Sequence, residues 1–239
     1  MNYQFSVSLK NKYIFCEVAK SGCSTIKREL WRQELADVPM PPDFYERHRN
    51  PHVAFAHHLL VKPFQLGPAL FNDMVRDPGV VKWTLVRNPF SRALSGYLDK
   101  VVRNEPQFLN IKRQIAQNRD TPLDSVDHST VTFEEFCLAL CAFEKPMQFD
   151  PHWRPQYLHT CSDILPYTYT GRLETLHRSE EEIARLLGLQ KMDFTKGRDH
   201  ATGADGKIEE YYSDHSADLI RKVYNLDFEK FGYSRDLPV

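Results

Sequence analysis

Residues 13–30, YIFCEVAKSGCSTIKREL, run from an apolar, partly aromatic stretch through a short turn of small polar residues into a helical pattern. Tyr13 to Val18 reads as a short strand of the kind buried in a sheet. Further on, TIKRELWRQELA (25–36) sets Ile26, Leu30 and Leu35 near one face with charges opposite, the mark of an amphipathic helix. A strand that feeds such a turn into a helix aims several backbone N–H groups at one point. Within VAKSGCST (18–25), Gly22 permits close backbone approach, Ser21, Ser24 and Thr25 add hydroxyls, and Lys20 adds a charge. Two readings stand on this stretch alone: an anion cradle, or a capped helix after a tight turn. The Gly-x4-Gly-Lys-Ser/Thr loop of nucleotide-binding proteins is excluded, since residues 14–19 contain no glycine.

A second stretch repeats the arrangement. VVKWTLV (80–86) reads as a strand, and LVRNPFSRALSGYLDK (85–100) carries it into a helix with Pro89 in the first turn, where a missing N–H costs nothing. Arg87 stands at the strand end and can fork onto a phosphate, with Ser95 two helical turns further along. The alternative is a helix with surface arginines, but an arginine directly after an apolar strand tends toward burial and then needs a partner. Strand–loop–helix met twice predicts an α/β fold, a central parallel sheet flanked by helices. Two anion-type loops at the C-terminal ends of two strands point to one ligand with two anionic groups.

The rest of the chain is read more coarsely. Residues 39–52 are proline-rich and polar, a loop or lid; 53–76 combine an apolar patch with a helix; 104–130 are polar and weakly patterned, an irregular insertion. TFEEFCLALCAFE (132–144) is an amphipathic helix with Thr132 as cap and Glu135 three residues on. The prolines of QFDPHWRPQYLHTCSDILPY (148–167) argue against regular structure. YTYTG gives a short strand, LETLHRSEEEIARLLGL (173–189) a helix ended by Gly188, and residues 206–233 one or two helices with an aromatic tail. No repeat, low-complexity tract or linker interrupts the 239 residues, and the expectation is one domain spanning 1–239.

Composition narrows the function classes. Net charge is −1, so no overall basic field favours nucleic acid, and any anion site must come from local Arg and Lys. No run approaches the ~18 apolar residues of a membrane span, and the first residues lack a signal-peptide pattern. The five cysteines form no CxxC pair; reduced thiols and a cytoplasmic location are the simplest expectation. Histidines and carboxylates show no zinc or magnesium spacing, so no metal is expected.

Taken together, the two loops resemble those of sulfotransferases that use 3′-phosphoadenosine 5′-phosphosulfate (PAPS). VAKSGCSTIKREL is similar to their 5′-phosphosulfate loop, and LVRNPFSRALSGYLDK matches their Arg-x-Pro-x-x-Arg-x-x-Ser-x-Tyr motif at every position. The cysteine of the first loop, DPHWRPQ (150–156), YTYTGRLETL and the tail IRKVYNLDFEKFGY resemble the carbohydrate sulfotransferases of the HNK-1 and chondroitin 4-O type. The likeness runs from about residue 13 to 233, with 39–80 and 104–130 matching poorly. Ala19 replaces a common proline and Asn88 a frequent aspartate, and neither removes a phosphate donor. The lack of an anchor and stem departs from the animal Golgi enzymes of that group.

The resemblance implies a P-loop-like three-layer fold, PAPS as co-substrate, and a carbohydrate or other hydroxyl as acceptor. It assigns Lys20, Ser21, Gly22, Cys23, Ser24 and Thr25 to the 5′-phosphosulfate, and Arg87 and Ser95 to the 3′-phosphate. Arg198, with Lys196 in FTKGRDHATG, stands where a late basic loop closes over the nucleotide, or is a solvated turn. Sulfuryl transfer should proceed by in-line attack, with Lys20 stabilising the leaving group and a general base taking the acceptor proton. His57, in VAFAHHLLVKPF (53–64), aligns with a histidine element of related enzymes and is favoured over its rival His152. His152 lies beside Trp153, whose ring could stack on a sugar; that loop could equally be structural, with Trp153 packed and Gln156 tying down turns. Glu174 matches a glutamate of the similar segment. A P-loop nucleotide kinase and a non-catalytic binder of PAPS or sulfated glycan are the alternatives.

Overall fold

The computed structural model describes residues 3–41, 43–44, 60–145, 148–195 and 202–238. The strands are β1 (Phe5–Ser8), β2 (Tyr13–Cys16), β3 (Val81–Val86) and β4 (Tyr169–Arg172). The described helices are α1 (Cys23–Glu34), α2 (Pro63–Arg76), α3 (Pro89–Gly96), α4 (Phe108–Arg119), α5 (Phe133–Cys141), α6 (Gln156–Thr160), α7 (Leu176–Leu187), α8 (Ile208–Tyr211), α9 (Asp214–Val223) and α10 (Asn225–Phe231). The chain divides into two compact units, Met1–Val86 with Thr160–Asp199, and Arg87–His159 with His200–Val239.

In the first unit the four strands form one sheet in the order β1-β2-β3-β4. β2, β3 and β4 run parallel, with Phe15 opposite Trp83 and Leu85 opposite Gly171. β1 adds an antiparallel edge, Phe5 opposite Cys16, and its outer side bridges Val61 through a pair of backbone hydrogen bonds of 2.8 and 3.0 Å.

Both faces of the sheet are covered, which is why β2 reads as a continuous apolar run instead of an alternating one. Tyr13, Phe15, Trp83 and Leu85 pack on one face against Ile26, Leu30 and Trp31 of α1 and Leu176 and Ile183 of α7. Val7, Ile14 and Cys16 pack on the other with Met74 and Phe71 of α2. These are the helix, sheet and helix layers expected from the strand–loop–helix repeats, with the antiparallel β1 as an addition. β1 had no counterpart in the sequence reading, because buried Ser6 and Ser8 break its apolar pattern.

Gly171 lets α7 settle on β4. A Cβ there would lie 2.5 Å from Ser179 Oγ and 2.7 Å from Tyr169 Cε1. α7 ends, as expected, with Gly188 in the left-handed conformation at φ 66°.

The second unit packs α3, α4, α5, α9 and α10 around Phe90, Tyr97, Phe136, Trp153, Tyr224 and Phe228. α3 is buried along its whole length and runs on as a π-helical turn, Tyr97–Val101. Asn88 caps α3, its side chain accepting from Phe90 N–H at 2.9 Å. Thr132 and Glu135 form the expected capping box on α5.

One expectation is corrected here and one open alternative is decided. Residues 104–130 are not wholly irregular, since α4 buries Phe108, Ile111 and Ile115 at helical spacing, and Arg119 forks onto the Glu135 carboxylate at 2.6 and 2.8 Å. The helical period is blurred by Leu109, which is apolar but exposed, and by the polar residues between Ile111 and Ile115. Trp153 is wholly buried, donates to Asn110 Oδ1 at 3.0 Å and meets Phe136 edge-on, so its ring belongs to the core and not to a sugar platform.

Gly171→Ala forces a methyl into occupied space and should destabilise the protein by about 1–3 kcal/mol. Urea unfolding measures this, and an unchanged midpoint would mean that α7 does not press on β4 as described.

Candidate active site

β2 ends at Cys16, and the chain turns through Glu17–Gly22 into α1. Two left-handed residues make the turn, Lys20 at φ 69° and Gly22 at φ 80°. For lysine this conformation is strained, and such strain persists only where the surroundings enforce it. Ser21 is buried and donates its N–H to Val18 O at 3.1 Å. Gly22 is the N-cap of α1 and has no side chain to cap it with, and the first turn holds no acidic residue. The partial positive charge of the helix start is therefore not offset by a carboxylate of its own. Burial, then Glu17, raises the Cys23 thiol against the opposing Lys27 and Lys20, so the thiol adds no negative charge to the loop.

Behind the loop Glu17 is held between two buried lysines. Its carboxylate lies 2.5 Å from Lys27 Nζ and 3.1 Å from Lys62 Nζ. Lys62 also donates to Ser6 Oγ at 3.0 Å and Tyr3 O at 3.1 Å. The Glu17 carboxylate partners both ammonium groups, yet burial outweighs that attraction at Lys62 and lowers its affinity for the proton. The sequence reading missed this triad; the signal was there in charges set within the apolar runs FCEV and LVKPF.

In the second unit Arg87 follows β3 directly and is 7% exposed. The side-chain amide of Gln156 clamps its backbone from both sides: Arg87 N–H donates to Gln156 Oε1 at 2.9 Å, and Gln156 Nε2 donates to Arg87 O at 2.8 Å. Gln156 is fixed in turn by Asp227, whose two oxygens accept from the N–H groups of Gln156 and Tyr157 at 2.7 and 2.9 Å. Burial pushes the Asp227 carboxyl up to about 6, against the lowering effect of those two bonds. The guanidinium of Arg87 lies 2.8 Å from Asp205 Oδ2. Ser95 Oγ, buried on α3, is 3.0 Å from Thr202 Oγ1. Arg92 of the same motif instead donates to Pro151 O at 3.2 Å, within the core.

His152 forms a dyad with Asp150, Nδ1 to Oδ1 at 2.6 Å. Burial alone would raise the Asp150 carboxyl, but hydrogen bonds from the ring and backbone N–H of His152 outweigh it and hold the group below its usual range. An ionised Asp150 accepts the Nδ1 proton and leaves Nε2 as the basic nitrogen, half-buried at the unit's surface. The loop bearing the dyad passes close to α3, for a Cβ on Gly96 would lie 3.3 Å from the His152 carbonyl oxygen. His159, by contrast, is driven by burial down to about 3 and donates through Nε2 to Pro151 O at 2.8 Å, a neutral core histidine.

Of the residues singled out by sequence, Lys20, Ser21, Gly22, Cys23, Ser24 and Thr25 lie together in the first unit, and Arg87, Ser95 and His152 in the second. His57 and Arg198, with Lys196, lie outside the described residues. Among the described residues no group of three or more His, Cys, Asp or Glu is placed to hold a metal, and no helix is long and apolar enough to cross a membrane.

Comparison with known proteins adds an independent line. The model of the sulfotransferase family matches residues 3–234. Human carbohydrate sulfotransferase 9 is 25% identical over 238 residues, covering 94% of this chain and 52% of its own length. Rat carbohydrate sulfotransferase 11 is 26% identical, covering 94% of this chain and 65% of its own; mouse carbohydrate sulfotransferase 12 is 26% identical, covering 98% and 61%. No solved structure matches the chain.

The chain thus spans about half to two thirds of these relatives' lengths. That overturns the cytoplasmic placement. It rested on the absence of a leader or anchor, and that absence, in a sequence that spans only part of its relatives' lengths, assigns no compartment. With the match running through both loops and both units, the chain belongs to the sulfotransferase family.

Proposed function

We propose that the chain transfers a sulfuryl group from PAPS to a hydroxyl of a carbohydrate or glycoconjugate. The observation that carries this reading is the clamped, buried Arg87 with Ser95 two turns on. A 3′-phosphate is the group that separates PAPS from ATP-like ligands, and a guanidinium fork beside a hydroxyl suits it. The first loop fits the other end: an uncapped helix start, small residues and a lysine, with no acid in the first turn. PAPS supplies the activated sulfuryl group. Backbone N–H groups at the start of α1, residues 22–25, would bind the phosphosulfate, and Lys20 would neutralise charge on the leaving phosphate oxygen.

His152, oriented by Asp150, would take the acceptor proton at Nε2. This reverses the order of preference between His57 and His152, on the strength of the 2.6 Å contact with Asp150. The same dyad favours an enzyme over a mere binder, and the loop's lack of the Gly-x4-Gly-Lys pattern disfavours a nucleotide kinase.

Titration calorimetry with adenosine 3′,5′-bisphosphate against ADP tests the donor. The bisphosphate should bind more tightly, and Arg87→Ala should weaken it by roughly 10²-fold while leaving ADP nearly unchanged. Equal affinities in the wild type would sink the assignment. With labelled PAPS and a panel of glycan acceptors, Lys20→Ala should lower kcat by roughly 10²–10³-fold while retaining some nucleotide binding.

The base is decided by comparing His152→Ala with His57→Ala. A fall in kcat of about 10²–10⁴-fold is expected for the first, with Asp150→Asn falling in the same direction. If His152→Ala keeps a near-normal rate, the dyad is structural.

A further inference from the structure

Arg87 is 7% exposed, and a buried cation needs a counter-charge at all times, whether or not a phosphate is bound. In this structure Asp205, in a short 3-10 turn Ala204–Lys207, provides one at 2.8 Å. The two partners differ sharply in setting. The Arg87 side chain is 8% exposed and that of Asp205 is 65% exposed. Gln156 fixes the backbone of Arg87, whereas the Asp205 carboxylate could turn out into water with little loss of hydration. Burial raises the Asp205 carboxyl, and the Arg87 charge and hydrogen bond, with a further bond from Ser91, overcome this and hold it low. Three residues earlier Thr202 engages Ser95 at 3.0 Å. One short segment thus meets both side chains assigned above to the 3′-phosphate.

We propose that Asp205 is the internal counter-ion of the 3′-phosphate site, displaced by the phosphate of the incoming donor and returned to Arg87 as the bisphosphate product departs. The inference rests on the reading of Arg87 and Ser95 as 3′-phosphate ligands. A carboxylate and a phosphate cannot share one guanidinium edge without like-charge repulsion, so they exchange. The phosphate, with more charge and more acceptor oxygens, prevails, but only by its margin over Asp205. Asp205 therefore sets how tightly the bisphosphate is held, while keeping Arg87 paired between turnovers.

Asp205→Asn keeps the shape and removes the charge, and opposite effects are expected on stability and binding. The protein alone should melt at a lower temperature than wild type, and the gap should close at saturating adenosine 3′,5′-bisphosphate. Affinity for that ligand should rise by about five-fold, with affinity for adenosine 5′-monophosphate unchanged. Asp205→Glu, which keeps the charge, should stay near wild type in both measurements. If Asp205→Asn does not fold, Asp205→Ser carries the same pair of measurements.

Unchanged or weaker binding of the bisphosphate, in a protein whose wild type still prefers it to the monophosphate, overturns the counter-ion. A wild type with no such preference overturns the assignment of the 3′-phosphate site instead.

Discussion

Parallel strands cannot be joined by a tight turn, and the pairing of β2 with β3 imposes this on the chain between them. After Cys16 the backbone must leave the sheet, cross over through helix, and return to begin β3 beside β2. Both strands then finish at the same edge of the sheet, and each must be followed by a loop that turns into a helix. The loop at Glu17–Gly22 and the arginine after Val86 are products of that one constraint. The covered faces follow as well. A parallel sheet flanked by its own crossovers is buried on both sides, so β2 and β3 are rich in large apolar and aromatic residues, with Trp83 packed against Phe15 in a tilted pair at 4.3 Å.

The chemistry at those two strand ends is prepared by charges and amides further back. Lys27 and Lys62 are buried against a partly exposed Glu17, and Gln156 is buried with Asp227; these groups touch backbone or one another and hold the loops in place. Each would be costly alone and is satisfied by a partner of fitting geometry. Preorganisation of this kind would serve the proposed sulfuryl transfer, which asks a protein for positioning and electrostatics above all.

How far the sequence could be read depended on whether a feature announces itself locally. β2, β3, the two loops, the capping box of α5 and the glycine end of α7 each carry their signal within a few residues, and all were legible. β1 was not, because its serines are buried by neighbours that no local pattern reveals. α4 was not, because its few apolar residues, with Leu109 exposed, give a faint period until the partner surface is known. The supporting groups of the site are the extreme case. Gln156 lies 69 residues from Arg87, Asp205 118 residues, and Asp227 71 residues from Gln156. The two loops give no sign of them, since long-range hydrogen bonds leave no periodic trace. Trp153 was ambiguous for a related reason: an indole beside a histidine suits a sugar or a core, and only its bond to Asn110 decides.

The uncapped start of α1 has a consequence for how this sequence can vary. A glycine N-cap forgoes roughly a few tenths of a kcal/mol against a Ser, Thr or Asp cap, and Gly22 at φ 80° gives up further rigidity in the unfolded chain. A capping side chain at position 22 would have to adopt that left-handed backbone with its Cβ 3.0 Å from Leu173 Cδ1. Under the proposed reading it would also compete with the phosphosulfate for the same helix end, so stability and binding pull against each other at this residue.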